Sequence, residues 1–309
     1  MKEIGGYFGL EASHGNSEYY KELVALNTGR NALAYLLKAK NVKKLYIPYF
    51  LCESVSGVLK REGAHFEYYE VGEDLLPRFF GTLSDGEYIY IVNYYGRLST
   101  QNIADFKAKY DRIIVDNVQA FFEKPQSGVC TIYSARKFFG VPDGAYLATD
   151  KFLENLNTDD SSARTSHIFG RIKDGATAHY SEFKANDMSF KELPLMKMSD
   201  LTHEMLTDID YEEVKKVREE NFEFLDEKLC KINKLETVFC PGPYAYPLYV
   251  ENGAELRKKL IENKIYVATL WPNLESETAR DLAENILPLP CDQRYTKEDM
   301  ERIVNVINL

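Results

Sequence analysis

The chain has 309 residues, 45% of them hydrophobic and 28% charged, with a formal net charge of −10, an ordinary globular composition long enough for one large domain and a smaller one. No apolar run approaches the roughly 20 residues of a membrane span, and no basic block offsets the acidic balance, so membrane spanning and nucleic-acid binding are both disfavoured. The five cysteines are scattered without a C-x-x-C pair and the five histidines form no H-x-x-H pattern, which argues against a disulfide framework and against a metal centre.

In chain order, the start MKEIGGYFGLEASHGNSEYY lacks the basic-then-apolar layout of a signal peptide, and a cytoplasmic protein is expected. NTGRNALAYLLKAK reads as a loop opening a helix, because small and polar residues precede apolar ones spaced three to four apart. KKLYIPYF is a short strand ended by Pro48, SVSGVLKREG an amphipathic helix, and HFEYYEV an alternating strand. EYIYIVNYYG is a β-prone run closing on a glycine, TQNIADFKAKY a helix, and RIIVDN a buried strand ending in an aspartate. This alternation predicts a mainly parallel sheet with helices on both faces, and ligands of such sheets gather beyond the carboxyl ends of the strands. Residues 150–205 read as a polar, irregular excursion. From YEEVKKVREENFEFLDEKLCKI a long helix leads to a compact α/β unit: strand YAYPLYV, helix AELRKKLIEN, strand KIYVATLW, helix SETARDLAEN, strand ILPLP and helix TKEDMERIVNVI.

Three segments near strand ends carry chemistry. Asn27-Thr28-Gly29-Arg30-Asn31 opens a helix, where free N–H groups and the helix dipole suit a phosphate; a plain N-cap is the alternative. Asp116 closes the strand RIIVD with Gln119 three residues on, so it can hold a cofactor's pyridinium nitrogen protonated, or cap a helix. In YSARKFFGVPDGAYL, Lys137 lies between a short apolar segment and a loop shaped by Gly140, Pro142 and Gly144. An amine held near a carbonyl carbon in a neutral form can make a Schiff base.

The order of phosphate loop, strand-end Asp-x-x-Gln, then Ser-x-x-Lys with a glycine seven residues beyond resembles the DegT/StrS family of sugar aminotransferases. The VNYYG strand end, the KMSDLTHEMLTDID segment and the YPLYV…IYV…LPLP pattern extend the likeness over most of the chain. The resemblance implies an α/β protein of pyridoxal-phosphate fold type I, with a mainly parallel-sheet large domain flanked by helices and a smaller C-terminal α/β domain, divided at 1–205 and 206–309. It implies pyridoxal 5'-phosphate as cofactor, an amino-acid donor such as glutamate, a keto-sugar acceptor carried on a nucleotide, and a homodimer. By position, Lys137 is the Schiff-base lysine, Asp116 the partner of the pyridine nitrogen and Gln119 the neighbour of its phenolic oxygen. Thr28, Gly29, Arg30 and Ser134 fall at phosphate-binding positions, and Cys52 at the position of the usual stacking ring, for which Tyr49 or Phe50 would substitute. Tyr94, Arg136 and Arg294 are candidates for substrate contact; Arg136 could instead pair with Asp143, and Arg294 with Asp292. Ser134 lies three residues before the lysine where the family places serine five before, and the family's cross-dimer asparagine is Leu195 here. A non-catalytic family member and another pyridoxal-phosphate reaction are the alternatives.

Overall fold

A computed structural model describes residues 4–5, 17–271 and 275–308. A two-residue strand Ile4–Gly5 (β1) stands apart from the main sheet, which begins with Val24–Leu26 (β2) and the helix Gly29–Ala39 (α1). There follow Lys44–Pro48 (β3), Glu53–Arg61 (α2), His65–Val71 (β4), Pro77–Arg78 (β5), Glu87–Val92 (β6), Thr100–Tyr110 (α3), Ile113–Asp116 (β7), Cys130–Ser134 (β8) and Ala145–Ala148 (β9). These strands form one eight-stranded sheet in the order β2-β9-β8-β7-β6-β3-β4-β5. From β8 to β4 every neighbouring pair is parallel, while β9 and β5 pair antiparallel at either side. The mainly parallel α/β sheet expected from the alternating segments is therefore what the chain builds.

β7 is buried along its whole length and β6 over its last four residues, as expected where helices cover both faces. α1 buries seven consecutive residues from Asn31 to Leu37. Its entry is fixed by Thr28, whose hydroxyl accepts from the Asn31 N–H at 3.0 Å, an N-cap that leaves the earlier N–H groups of the helix free for another acceptor.

The stretch 150–205 is not irregular throughout. It holds the helices Ser166–Asp174 (α4), Tyr180–Ser189 (α5) and Asp200–Thr207 (α6). α5 buries only Asn186, so no apolar stripe announces it in the sequence. Tyr211–Leu229 (α7) is the long helix expected. After it come Tyr246–Tyr249 (β10), Gly253–Glu262 (α8), Ile265–Tyr266 (β11), Glu277–Asn285 (α9), Ile286–Leu289 (β12) and Lys297–Asn308 (α10). β10 pairs antiparallel with β12 and β11 parallel with β1. The strand expected over KIYVATLW is thus only two residues long. Lys264 and Trp271 adopt left-handed backbone at φ 57° and 54° on either side of it, which ends extended pairing.

α7 joins two apolar clusters. Tyr211 and Val214 pack with Phe121, Phe138 and Phe139 behind the main sheet, and Phe222, Leu225 and Leu229 pack with Leu248, Leu287 and Ile303 of the C-terminal unit.

Candidate active site

The carboxyl ends of β6, β7 and β8 open onto a cavity of about 270 Å³ that contains Thr28, Gly29, Arg30, Cys52, Asp116, Gln119, Ser134, Arg136 and Lys137. Residues more than 100 positions apart in the sequence thus meet at one place, where parallel sheets hold their ligands. Arg30, Leu51, Cys52 and Ser54 also border a second, wider cleft of about 770 Å³, so the inner cavity opens outward past Cys52.

Lys137 ends a single 3-10 turn, Ala135–Lys137, directly after β8. Gly144, at φ 117°, closes the following loop: its carbonyl accepts from Ala135 N–H at 3.1 Å and its N–H donates to the Asn27 carbonyl at 2.7 Å. A Cβ there would lie 3.1 Å from Thr202 Cγ2, so a side chain would be crowded and its backbone strained. One glycine thereby ties the lysine turn to the entry of α1. Burial pushes the Lys137 ammonium below the ordinary lysine range, opposed chiefly by the Asp116 carboxylate. Burial likewise pushes Asp116 up, opposed by Lys137 and by its hydrogen bonds. Desolvation favours the neutral amine, which is the nucleophilic form.

Asp116 is held at both oxygens. Oδ1 accepts from Val118 N–H at 2.9 Å and Oδ2 from the Tyr90 hydroxyl at 2.7 Å. Gln119 Oε1 accepts from Tyr95 N–H at 3.1 Å, which fixes the orientation of its amide. Tyr95 is itself left-handed at φ 54° and is followed by Gly96 at φ 74°, where a Cβ would strike Cys240 Sγ at 2.4 Å.

Arg30 and Arg136 share one carboxylate: Asp187 of α5 lies 3.6 Å from Arg30 Nη2 and 3.4 Å from Arg136 Nη1. The Arg136 guanidinium sits 4.2 Å over the Phe190 ring, and burial pushes it down to about 10, with Asp187 as its main opposing charge. The alternative pairing with Asp143 is not made. Asp143 instead accepts from Ser199 N–H at 3.0 Å, from the Ser199 hydroxyl at 2.8 Å and from the Thr202 hydroxyl.

Other candidates lie elsewhere. Tyr94 is 2% exposed and its hydroxyl donates to the Phe50 carbonyl, so it forms part of the packing beneath the cavity. Phe50 is buried against Tyr94 and Trp271, and Tyr49 stacks on Tyr68 at 4.8 Å in the outer cleft. Neither ring borders the inner cavity. Arg294 is paired through Nε and Nη2 with Asp292 at 2.6 and 2.7 Å. Arg97 donates to the Glu236 carbonyl at 2.6 Å. Leu195 packs against the main core, while its neighbour Pro194 accepts from Asn31 Nδ2 at 2.7 Å. His167, in the stretch expected to be irregular, is buried in α4 with its ring 5.8 Å from Phe183.

Tyr90, Asp187, Phe190, Tyr244 and Trp271 also border the cavity, and local pattern in the sequence does not mark them as site residues. Tyr90 is one of several aromatics in a β-prone run. Tyr244, whose ring lies 5.8 Å from Lys137 Nζ, and Trp271 come from the C-terminal unit, beyond the reach of local pattern. Among the described residues no group of three or more histidine, cysteine or acidic side chains could hold a metal ion.

No family model matches this chain, and no curated protein does. Solved structures do. A DegT/DnrJ/EryC1/StrS aminotransferase from Brucella abortus superposes with a TM-score of 0.63 at 15% identity, covering 93% of this chain and 85% of that one. A sugar aminotransferase from Micromonospora echinospora gives 0.62 at 15% identity over 92% and 86%. The chain has the fold of the DegT/StrS sugar aminotransferases. NtdA from Bacillus subtilis, solved with bound cofactor PMP, aligns at 0.64 and 16% identity over 94% of this chain and 74% of that one. Within this sugar-aminotransferase fold, the ring-bearing residues bordering the inner cavity are Tyr90, Phe190, Tyr244 and Trp271, and Cys52 stands at its mouth.

Proposed function

We propose that this chain is a pyridoxal-phosphate-dependent aminotransferase that moves an amino group from an amino acid, glutamate foremost, to a keto sugar carried on a nucleotide, for surface-polysaccharide or related sugar biosynthesis. The observation that carries the reading is a lysine of lowered pKa and a buried aspartate sharing one cavity with two arginines, Arg30 at the start of α1 and Arg136 beside the lysine.

The residues fit the cofactor on independent grounds. Arg30 Nε and Arg136 Nε are buried without a hydrogen-bond partner, and a buried donor left unsatisfied is costly until an acceptor arrives. Together with Thr28, Gly29 and Ser134 they would hold a phosphate, Asp116 the ring nitrogen, Gln119 the ring hydroxyl and Lys137 the aldehyde carbon. When bound, the cofactor supplies an electron sink for the carbon that gains or loses the amino group. Lys137, its pKa lowered by burial, would take the proton from the substrate carbon and return it, a role that needs an amine of lowered pKa. Asp116 would keep the ring nitrogen protonated, and Tyr244 and Trp271 would exclude water from the lysine's side of the cavity.

The outer cleft suits an acceptor with a charged, flat portion. It offers Lys60, Arg61 and Lys191 beside the stacked Tyr49–Tyr68 pair, cations for phosphate and a ring face for a base. Phe169, Ile172, Tyr180 and Met188 are exposed on α4 and α5, next to the site, which supports a homodimer covering this face. Among the described residues no helix is long and apolar enough to cross a membrane; we place the enzyme in the cytoplasm.

The test is a visible spectrum of purified protein with added pyridoxal phosphate, before and after borohydride. The wild type should show a band near about 420 nm that reduction fixes covalently, with the added mass on the peptide bearing Lys137, as expected of a lysine nucleophile. Lys137→Ala should show neither the band nor the mass. Covalent capture elsewhere in the chain would sink the assignment. Adding glutamate should then bleach the wild-type band.

A further inference from the structure

We propose that Asp187 on α5 is a resident counter-charge on the phosphate seat that Arg30 and Arg136 form, which the incoming phosphate displaces. The inference rests on the cofactor reading for the identity of its ligand, and on these three residues for its site.

Asp187 spans both guanidinia, one oxygen to each, at 3.6 and 3.4 Å. Both contacts are longer than a well-formed charged hydrogen bond, which lies near about 2.8 Å. The carboxylate therefore neutralises the two cations without filling their donor sites, and each Nε stays buried and unpartnered. A tetrahedral dianion carries more acceptor oxygens than one carboxylate and can reach both forks, with the free N–H groups of the α1 start adding to the attraction.

The two arginines do not depend on Asp187 for their position. Arg136 lies 4.2 Å over the Phe190 ring and Arg30 lies 5.8 Å from the same ring, with Phe190 fully buried. α5 is fastened at its neighbouring residue, where Asn186 Nδ2 donates to the Pro142 carbonyl at 3.0 Å. Asp187 itself is the mobile partner in this arrangement. Its side chain is 45% exposed against 19% and 16% for the arginines, so rotation into water costs it little, whereas the cations have nowhere to go.

A brace that positions the arginines and a counter-charge that competes for them predict opposite signs. Apo protein is titrated calorimetrically with pyridoxal phosphate, with pyridoxal (which lacks the phosphate) and with inorganic phosphate. Asp187→Asn should bind pyridoxal phosphate roughly tenfold more tightly, the order expected on removing a like-charge neighbour, with pyridoxal unchanged. Arg136→Gln should lose affinity for the phosphorylated ligand alone, and circular dichroism checks that both variants fold. Asp187→Asn binding pyridoxal phosphate less tightly or equally, or changing pyridoxal by the same factor, overturns the proposal. Should wild type not bind pyridoxal phosphate at all, inorganic phosphate decides: tighter binding to Asp187→Asn keeps the anion seat and removes only the cofactor reading, and no gain overturns the seat as well.

Discussion

Tyr90 shows how one unannounced side chain can set the chemistry of a site. Asp116 is buried, and burial favours its neutral acid; a neutral acid cannot hold a pyridinium. The Tyr90 hydroxyl at 2.7 Å donates to the carboxylate and so favours the ionised form. Removing that donor should raise the pKa of Asp116 further, since a hydrogen bond to the charged form favours it. Tyr90→Phe is therefore expected to move the acid limb of the turnover profile upward in pH, with cofactor capture by Lys137 retained. A profile that scales down without shifting would show that Tyr90 contributes packing alone. The strand-end aspartate and the lysine were legible because each sits inside a short motif where strand, turn and charge coincide. Tyr90 was not, because a tyrosine in EYIYIVN is first of all a strand former. The Arg136–Asp187 contact was hidden for a different reason: 51 residues separate the pair, and nothing local marks either as the other's partner.

The helices that line the site differ in how plainly the sequence declares them. α1 and α2 carry apolar stripes that announce them, whereas α5 buries only Asn186 and reaches the cavity through Asp187, with Phe190 directly after it. α6 is anchored at its start by Ser199, which caps Thr202 N–H and shares Asp143 with the Thr202 hydroxyl. Asp143→Ala would leave one N–H and two hydroxyls buried without their acceptor, at a cost on the order of 3 kcal/mol. A falling denaturant midpoint should accompany weaker cofactor binding, because Gly144 is the next residue and borders the cavity. α4 carries a second consequence. Burial pushes His167 down to about 4, with the Arg136 charge assisting. Its unfolded form protonates near 6.5, so in that window the unfolded chain binds more protons. The stability contributed by neutral His167 is complete above 6.5 and is lost as pH falls from 6.5 toward 4, on the order of 3 kcal/mol for a shift of this size. Urea melts at pH 7 and pH 4.5 should therefore diverge more in the wild type than in His167→Gln; equal divergence would locate the acid sensitivity elsewhere.

At the scale of the molecule, Lys137, the proposed Schiff-base lysine, is flanked by residues held from both parts of the chain. α7 runs from the cluster behind the main sheet into the C-terminal core, and midway along it Arg218 is fully buried. Its Nη1 donates to the Pro243 carbonyl at 2.8 Å and its Nη2 to the Phe138 carbonyl at 3.2 Å, and its guanidinium lies 4.6 Å from the Phe138 ring. Gln293 donates to the same Phe138 carbonyl at 2.8 Å. Phe138 directly follows Lys137 and Pro243 directly precedes Tyr244, so one guanidinium fixes both the lysine and the ring that faces it. A buried charge that satisfies carbonyls from two units couples them, because parting the units would leave the cation and both acceptors unsatisfied. Arg218→Met keeps most of the volume and removes the coupling, and should cost on the order of 3 kcal/mol. The wild type should melt in one calorimetric transition that rises with pyridoxal phosphate. In Arg218→Met the C-terminal unit should melt separately and earlier, and only the transition of the main sheet should respond to the cofactor. A single transition, lower but still cofactor-responsive as a whole, would mean that the apolar faces of α7 couple the units without the arginine.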